Sequence, residues 1–413
     1  MKVLQICNKP PYPPNEGGSM AMHAVTRMLL QQHCTVKVLA MESRKYPVHE
    51  AELPDNYRQQ TGFEWQFVDT GLHPLAALLA LLRNRSYHAV RFYSRPFARR
   101  LKAILQAESY DIIQLETVYP AVYLPVIRSC SQAKVVIRAH NIEHKIWERI
   151  ATHTRNPLKK AYLRILSRQL RQFEMESLRQ ADGIETISPV DADYFRKEIQ
   201  TPICVIPFGI SVSKEDVPPK EQPASLFSLA SMNWKPNEEG VRWFVNECWP
   251  LIRQQHPELE FRIAGRHLPQ KFLEPLPPGI RIVGEVADSG AFMRENGILV
   301  VPLLSGSGVR IKILEGMSLG VTVITTSIGA EGIPATHQEN LLIADTPQAF
   351  AEAVSCCLGH PEECRRIGRQ AAAFIREHYD EEAIARQLVE FLTGCKNKEE
   401  SPNKNKHAIK SEK

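Results

Sequence analysis

The chain has 413 residues, a formal net charge of +5 and an apolar fraction of 43%. This length exceeds what one hydrophobic core ordinarily supports, so two domains of roughly 150–200 residues are expected. The composition excludes a largely disordered chain, and the modest charge argues against a dedicated nucleic-acid-binding protein. The nine cysteines form no CxxC pair and no metal-ligand spacing, which is typical of reduced thiols in a cytoplasmic protein.

Apolar segments alternate with helical segments along the first two hundred residues. Lys2–Ile6 is expected to be a buried strand rather than part of a signal peptide. A loop rich in Pro, Asn and Gly leads from it into a helix over Ser19–Gln32. Further strands are predicted at Cys34–Met41, Tyr110–Glu116, Lys134–His140 and Asp182–Ser188. Strands that alternate with helices indicate a parallel sheet covered on both faces.

The alternation stops in a polar, Pro-rich stretch and restarts at Leu226–Ser231. Near the C-terminus the sequence predicts a helix capped by Thr346, then a long helical region from Pro361 to Leu392 and a charged, disordered tail. In doubly wound sheets ligands bind at the carboxyl ends of the strands, so the cleft between the two halves is the expected site. The expected divisions are a first domain at 1–200, a linker at 201–224, a second domain at 225–375, a C-terminal helix at 376–394 and a tail at 395–413.

The segment SGSGVRIKILEG, Ser305–Gly316, joins a glycine-rich loop to a helical segment that begins with two cations. Arg310 and Lys312 stand where the helix dipole favours anions. The segment lacks the GK[ST] of a P-loop and the third glycine of the dinucleotide fingerprint. It is either a tight turn with Lys312 and Glu315 as a surface pair, or a site for an anion such as a diphosphate.

Three other motifs are candidates for chemistry. Gly17 and Gly18 would let backbone N–H groups approach a phosphate or sugar, although a glycine pair is also common in ordinary turns. His140 ends a strand, where α/β proteins place functional side chains, and a structural histidine is the alternative. His140 and His144 have a spacing that could hold a metal ion, but no third ligand is evident in the sequence, so no metal is expected. Asp191, in a DxD-like triplet, is interpreted as an acidic residue in the first turn of a helix.

Two basic stretches, 83–107 and 155–179, contain seven Lys and Arg each. Solvated helix faces explain such stretches most simply. The alternative is contact with an anionic acceptor or with the anionic inner face of the cell membrane. The apolar run Leu72–Asn84 is too short to span a bilayer. The protein is therefore expected to be cytoplasmic, with a peripheral membrane contact as the alternative.

Several segments taken together resemble family 4 of the GT-B glycosyltransferases. They are VPLLSGSGVRIKILEGMSLGVTVITTSIGAEGI, SLASMNWKPNEEGVRWFVNECWPLI, FRIAGR, IVGEVAD, IPFGI and NEGG. The likeness extends to about residue 394 and is greatest to bacterial sugar transferases with a GSGxRxKxLE motif. It implies two Rossmann-like doubly wound α/β domains that face each other across a cleft, with a C-terminal helix returning to the N-terminal domain. The N-terminal domain would bind the acceptor and the C-terminal domain the nucleotide sugar.

The resemblance also implies an activity: retaining, metal-independent transfer of a hexose-like sugar from a nucleoside-diphosphate sugar to a saccharide or lipid-linked acceptor, in polysaccharide or glycoconjugate biosynthesis. No cofactor is implied. By the same likeness Arg310 and Lys312 neutralise the diphosphate, and Glu315 holds the ribose hydroxyls. His140 would contact the donor sugar near the reacting centre. Further donor contacts are implied for Gly17, Gly18, Arg266, Val286, Ser307 and Gly308.

The chain departs from this family pattern at two places. Ser307 stands where the family commonly has Glu, which leaves the recognition of the donor sugar open. Only Lys235 represents the Arg and Lys that usually follow the first strand of the second domain, so phosphate binding is assigned to Arg310 and Lys312. Two alternatives remain, a sugar-nucleotide epimerase of the same fold and a non-catalytic sugar-nucleotide-binding partner of a polysaccharide assembly complex. No nucleic-acid partner is expected.

Overall fold

The computed structural model describes residues 1–14, 17–210, 225–269, 272–306 and 308–397. The strands are β1 (Lys2–Cys7), β2 (Thr35–Glu42), β3 (Glu64–Phe67), β4 (Ile112–Glu116), β5 (Lys134–Ala139), β6 (Gly183–Thr186), β7 (Ile203–Val205), β8 (Ser225–Leu229), β9 (Glu260–Ala264), β10 (Ile280–Gly284), β11 (Ile298–Val301), β12 (Val323–Thr325) and β13 (Leu342–Ile343). The helices are α1 (Gly17–Gln31), α2 (Asp55–Thr61), α3 (Pro74–Leu82), α4 (Tyr87–Val90), α5 (Arg95–Ala107), α6 (Leu124–Cys130), α7 (Glu143–His153), α8 (Pro157–Gln180), α9 (Pro189–Arg196), α10 (Lys235–Trp243), α11 (Trp249–Gln255), α12 (Ser289–Glu295), α13 (Ile311–Ser318), α14 (Pro347–Gly359), α15 (Pro361–His378) and α16 (Glu381–Asn397).

The first seven strands form one parallel sheet in the order β3-β2-β1-β4-β5-β6-β7. The central strands β1, β4 and β5 are almost wholly buried. Because both faces of these strands are covered, their sequences are nearly continuous apolar runs, and this is why they could be recognised from sequence. The edge strand β3 is only half-buried and has the sequence EWQF, so no apolar run marks it and it was not predicted.

The remaining six strands form a second parallel sheet in the order β10-β9-β8-β11-β12-β13. The order reverses between β8 and β11, as it does between β1 and β4 in the first sheet. Ligands bind at such reversal points, at the carboxyl ends of the strands. The prediction of two doubly wound sheets is confirmed. The first sheet ends at β7, within the range expected for the linker, and most of that linker (211–224) lies outside the described residues.

The C-terminal region folds back onto the first sheet. The single helical region expected from Pro361 to Leu392 is two helices, α15 and α16, separated at Tyr379 and Asp380. Asp380 forms a parallel bridge with Ile210, which redirects the chain. The apolar side of α16 then packs against the β1, β2 and α1 side of the N-terminal half. The expected return of a C-terminal helix is therefore confirmed, and the expected tail lies outside the described residues beyond residue 397.

Candidate functional site

A buried hydrogen-bond network lies behind His140, at the carboxyl ends of β4 and β5. The Nε2 atom of His140 is 2.8 Å from Oε2 of Glu116. The side-chain amide of Gln5 donates to the other oxygen of Glu116 at 2.8 Å, and Gln114 donates to the same oxygen at 3.3 Å. Glu116 is fully buried, and a carboxylate that accepts from several donors is well suited to hold an imidazole ring in one orientation.

The network continues across the sheet to a buried ion pair. Gln114 also donates to Glu185 at 3.2 Å, and Arg138 pairs with Glu185 at 3.1 Å. Both Arg138 and Glu185 are almost completely inaccessible to solvent. Burial raises the pKa of Glu185 to about 7. Desolvation offsets much of the attraction between buried charges, so such an array adds little to the stability of the fold. Its role in positioning the groups above it explains its presence better.

His140 retains a small exposed fraction of 9%. Burial lowers its pKa, and Glu116 opposes this shift. The neutral ring is therefore favoured at neutral pH, with its Nε2 proton directed to Glu116 and an unprotonated Nδ1. Lys9, which was not predicted as a site residue, also lowers the pKa of His140 through its charge. A Cβ atom on Gly18 would lie 2.8 Å from the Lys9 ammonium, so Lys9 extends over the first turn of α1.

The glycine loop of the C-terminal half, which contains Gly306 and Gly308, faces the region around His140 directly. A Cβ atom on Gly308 would lie 2.7 Å from Oδ1 of Asn141, the residue after His140. Gly308 has a φ of +83° and Gly306 a φ of +120°, a region that favours glycine. A Cβ on Gly306 would lie 2.9 Å from both Trp234 and Arg310. The loop therefore requires glycine for its conformation and for its close contact with the other half.

Arg310 occupies the N-terminal cap of α13 and is buried. Its guanidinium donates to the Gly308 carbonyl and lies 5.2 Å from the centre of the Trp234 ring. Burial lowers the pKa of Arg310 to about 10. Burial also lowers the pKa of Lys312 to about 8 and raises the pKa of Glu315. A bound anion would raise the pKa of both cations again, so their burial at this position favours an anionic ligand.

An ion pair joins the two halves beside the glycine loop. Arg149 of α7 donates to both carboxylate oxygens of Glu331, at 2.7 and 3.1 Å, and to the Gly306 carbonyl at 3.3 Å. Burial raises the pKa of Asp191 to about 6, and Glu331 contributes to the rise. Neither Arg149 nor Glu331 was selected from the sequence, because nothing local indicates a contact between positions 182 residues apart.

Most of the other residues expected to contact the donor belong to elements other than the glycine loop. Arg266 and Val286 follow β9 and β10, at the same edge of the second sheet, and Arg266 pairs with Glu285 at 2.9 Å on the surface. Gly17 begins α1, and a Cβ atom on it would meet no other atom within 4 Å. Lys235 is exposed and pairs with Glu238 of its own helix at 3.1 Å. Ser307 lies outside the described residues.

His144 and Asp191 have local structural partners. The Nδ1 atom of His144 is 2.5 Å from Glu174, and its Nε2 is 2.9 Å from the Tyr194 hydroxyl. The backbone N–H of Asp191 donates to the Ser188 side chain, which confirms the predicted helix start. Among the residues that the structure describes, no group of three His, Cys, Asp or Glu side chains is placed to hold a metal ion.

A pair of buried acidic residues, Glu143 and Glu174, lies close to Asn141 at the start of α7. Glu143 accepts a hydrogen bond from the Tyr119 hydroxyl at 2.8 Å, and its own backbone N–H donates to Glu174 at 2.9 Å. Burial, and then the charge of Glu174, raise the pKa of Glu143 to about 7. No local pattern in the sequence indicates this pair, because Glu174 lies in the middle of the long helix α8 and reaches Glu143 only in the folded chain.

Two family models match the chain. The model described as "Glycosyltransferase Family 4" matches residues 16–214, and the model described as "Glycosyl transferases group 1" matches residues 224–360. An uncharacterised 44.6 kDa protein of the cps region of Klebsiella pneumoniae is 23% identical over 402 residues, which are 93% of this chain and 97% of that protein.

Solved structures share the fold of nearly the whole chain. WaaG, a glycosyltransferase involved in lipopolysaccharide biosynthesis, superposes with a TM-score of 0.66 at 15% identity, over 95% of this chain and 100% of that one. Anabaena Alr3699/HepE in complex with UDP-glucose superposes with a TM-score of 0.63 at 14% identity, over 95% of this chain and 100% of that one. These likenesses show the fold of the GT-B glycosyltransferases. The two family models show that the chain is a glycosyltransferase, whose N-terminal half matches the family 4 model and whose C-terminal half matches the group 1 model.

Proposed function

We propose that the protein transfers a hexose-like sugar, with retention of configuration and without a metal ion, from a nucleoside-diphosphate sugar to a saccharide or lipid-linked acceptor. One observation supports this most directly. The glycine loop carries Arg310 and Lys312 to a point where Gly308 meets Asn141, beside His140. The two cations and the backbone of the loop thereby lie where the negative charge of a diphosphate leaving group would develop.

The chain's own residues can supply each function of this transfer. Arg310 and Lys312 would stabilise the negative charge that develops on the leaving diphosphate, with Lys9 as a third cation near Gly18. Glu315, one helical turn after Lys312, would hold the ribose hydroxyls. His140 would present its neutral ring to the donor sugar, held in orientation by Glu116. The same-side mechanism of the family, in which the leaving diphosphate helps to deprotonate the acceptor hydroxyl, is the proposed route to retention.

The relatives suggest which substrates to test first. A neighbour in fold is solved with UDP-glucose, so uridine donors precede guanosine donors in a screen. Relatives named for a cps region and for lipopolysaccharide biosynthesis favour a role in bacterial surface polysaccharide or glycoconjugate assembly. The basic stretches 83–107 and 155–179 would bring the protein to an anionic membrane where a lipid-linked acceptor is found.

The proposal is tested by incubating the purified chain with each sugar nucleotide, with and without saccharide and lipid-linked acceptors, and measuring released nucleotide and product. Arg310→Ala and Glu315→Ala should each reduce transfer at least 100-fold, whereas the exposed Lys235→Ala should retain it. EDTA should leave the rate unchanged, and NMR should show the donor's anomeric configuration in the product. An epimer formed from donor alone, or tight donor binding with no turnover across the screen, would overturn the proposal.

A further inference from the structure

Helix α3 exposes the side of itself that would ordinarily face a core. Leu75, Leu78, Leu79 and Leu82 follow the spacing i, i+3, i+4, i+7, which is the pattern of a buried helical stripe. Their exposed fractions are 78%, 51%, 51% and 75%, and the preceding Leu72 is 76% exposed. Isolated exposed leucines are common in folded proteins, but a complete stripe turned to solvent marks a surface that meets an apolar partner.

This helix is fixed in place rather than detached from the fold. The Tyr87 hydroxyl accepts a hydrogen bond from the backbone N–H of His73 at 2.7 Å and donates to the Gly71 carbonyl at 3.0 Å. The carbonyl of Leu81, at the other end, accepts from the side chain of Gln169 in α8 at 3.5 Å. Both ends of α3 are thereby held to neighbouring helices, so the leucine stripe is presented by a fixed scaffold.

The first half of α8 presents a second apolar stripe. Leu158, Ala161, Tyr162 and Ile165 repeat the same i, i+3, i+4, i+7 spacing, and all four are exposed. Gln169, which contacts the end of α3, is one helical turn after Ile165, and residues at this spacing lie on the same side of a helix. The second stripe therefore leads toward the C-terminal end of the first.

The charges around the two stripes are all positive. The sequence contains no Asp or Glu between Asp69 and Glu108, and none between Glu148 and Glu174. The stripes are accompanied by exposed Arg83, Arg85, Arg155, Lys159, Arg164 and Arg168, none of which forms an ion pair with any residue that the structure describes. Apolar side chains ringed by unpaired cations complement a surface that is apolar inside and anionic at its rim.

From this arrangement we infer that α3 and the first half of α8 form a docking surface for an anionic lipid bilayer. The leucines would enter the boundary between headgroups and acyl chains, and the arginines and lysines would pair with lipid phosphates. No helix in the described part of the chain is long and apolar enough to cross a bilayer, so the contact is interfacial. The apolar run Leu72–Asn84, which is too short to span a membrane, supplies the leucine stripe of this surface.

The surface is rigidly connected to the cleft. His88 of α4 stacks on Trp147 of α7 with ring centres 3.9 Å apart, and the same helix α7 carries Arg149 to the C-terminal half. Docking would therefore hold the cleft at a defined distance from the bilayer. Delivery of a lipid-linked acceptor to the cleft rests on the proposed function. The docking surface itself does not rest on it.

Vesicle sedimentation of the full chain, without donor or acceptor, tests the surface independently of catalysis. The chain should sediment with phosphatidylcholine vesicles that contain phosphatidylglycerol, much less with phosphatidylcholine alone, and less as salt is raised. Replacing both Leu75 and Leu79 by Gln should weaken binding at least 10-fold while keeping helix propensity. Arg83→Gln with Arg85→Gln should also weaken it, by about 10-fold or more, since each basic residue near the surface adds roughly fivefold.

Matched controls lie in the C-terminal half. Leu276→Gln replaces a leucine that is 44% exposed, and Arg281→Gln replaces an exposed arginine of β10; both should bind vesicles as the unmodified chain does. Failure of the unmodified chain to bind anionic vesicles at low salt would overturn the inference. So would equal binding by the leucine variant and its control. A leucine variant that changes the sedimentation coefficient without vesicles would assign the stripe to self-association instead.

Discussion

Arg149 and Glu331 form a two-pronged ion pair, with N–O distances of 2.7 and 3.1 Å, that joins the N-terminal half of the molecule to the C-terminal half. Their side chains are 52% and 35% exposed. Solvent screening at this exposure limits such a pair to about 0–1 kcal/mol. The pair therefore sets the geometry of contact between the halves and contributes little to holding them together.

Removing this pair should have a small effect on ligand binding. Arg149→Ala and Glu331→Ala should each weaken the binding of a nucleoside diphosphate by no more than about fivefold, since about 1 kcal/mol corresponds to that factor. The double variant should resemble the single variants, because the partners act together. Titration calorimetry measures this, with Arg171→Ala, which breaks a pair within the N-terminal half, as the control. A 50-fold loss would show that the pair is desolvated in the bound state.

Substitution of Gly308 should impair the glycine loop. A Cβ atom at Gly308 would meet the Asn141 side chain at 2.7 Å, and the backbone has a φ of +83°. Gly308→Ala should reduce transfer at least 10-fold. Gly320→Ala has a similar φ of +70° but only ordinary contacts, so it should lose about 1 kcal/mol of stability to backbone strain and keep its activity.

The contribution of the steric contact can be separated from that of the backbone. Asn141→Ala removes the side chain that the new methyl group would meet. If contact is the cause, then Gly308→Ala combined with Asn141→Ala should be no less active than Asn141→Ala alone. Rates measured under saturating donor would decide this, and a double variant with additive losses would instead assign the defect to the loop conformation.

Nucleoside-diphosphate binding should weaken as the pH rises through about 8. Burial lowers the pKa of Lys312 to about 8, and a bound diphosphate would favour the charged ammonium and raise that pKa. Below pH 8 the cation is already present, whereas above pH 8 binding must take up a proton. Affinity should therefore fall by up to about tenfold per pH unit above 8.

The assignment of this pH dependence to Lys312 is checked with Lys312→Met. That variant should bind more weakly at pH 7 and show a flatter profile between pH 7 and 9. Calorimetry at pH 8.5 in buffers of different ionisation enthalpy should show proton uptake by the unmodified chain and by Lys235→Met, but less by Lys312→Met. Unchanged proton uptake in Lys312→Met would contradict the role given to this side chain.

The sequence predicted the sheets and drew attention to the glycine loop, but it did not predict the contacts across the cleft. Strands such as β5 are buried on both faces, so their apolar runs are visible locally, and the cations of α13 are conspicuous beside two glycines. Asn141 and Arg149 carry no such local signal. Their proximity to the glycine loop is created by the way the halves face each other, which no spacing along the chain records.

The break between α15 and α16 was missed for a similar reason. Neither Pro nor Gly marks Tyr379 and Asp380, and the apolar periodicity continues across them. The helix ends because the backbone of Tyr379 and Glu381 bonds with Ile210, at the end of the N-terminal half. A tertiary pairing thus overrides a local helical preference, and the direction in which α16 packs depends on it.

The acidic pair at the start of α7 should make stability fall as the pH rises. Burial and Glu174 raise the pKa of Glu143 from 4.5 to about 7. A carboxyl group with a raised pKa binds its proton more tightly in the folded state, so its contribution is most favourable below pH 4.5 and is lost between about pH 4.5 and 7. The difference is at most roughly 3 kcal/mol.

Glu143→Gln keeps the size of this side chain, retains an acceptor for the Tyr119 hydroxyl and removes the titration. Its thermal midpoint should fall less between pH 5 and 8 than that of the unmodified chain, and it should be the more stable protein at pH 8. Glu198→Gln, which changes an acid paired with Arg171 on the surface, should leave the slope unchanged. Because Glu185 titrates in the same range and with the same sign, some slope should persist in Glu143→Gln. A slope identical to that of the unmodified chain would show that Glu143 is ionised when folded.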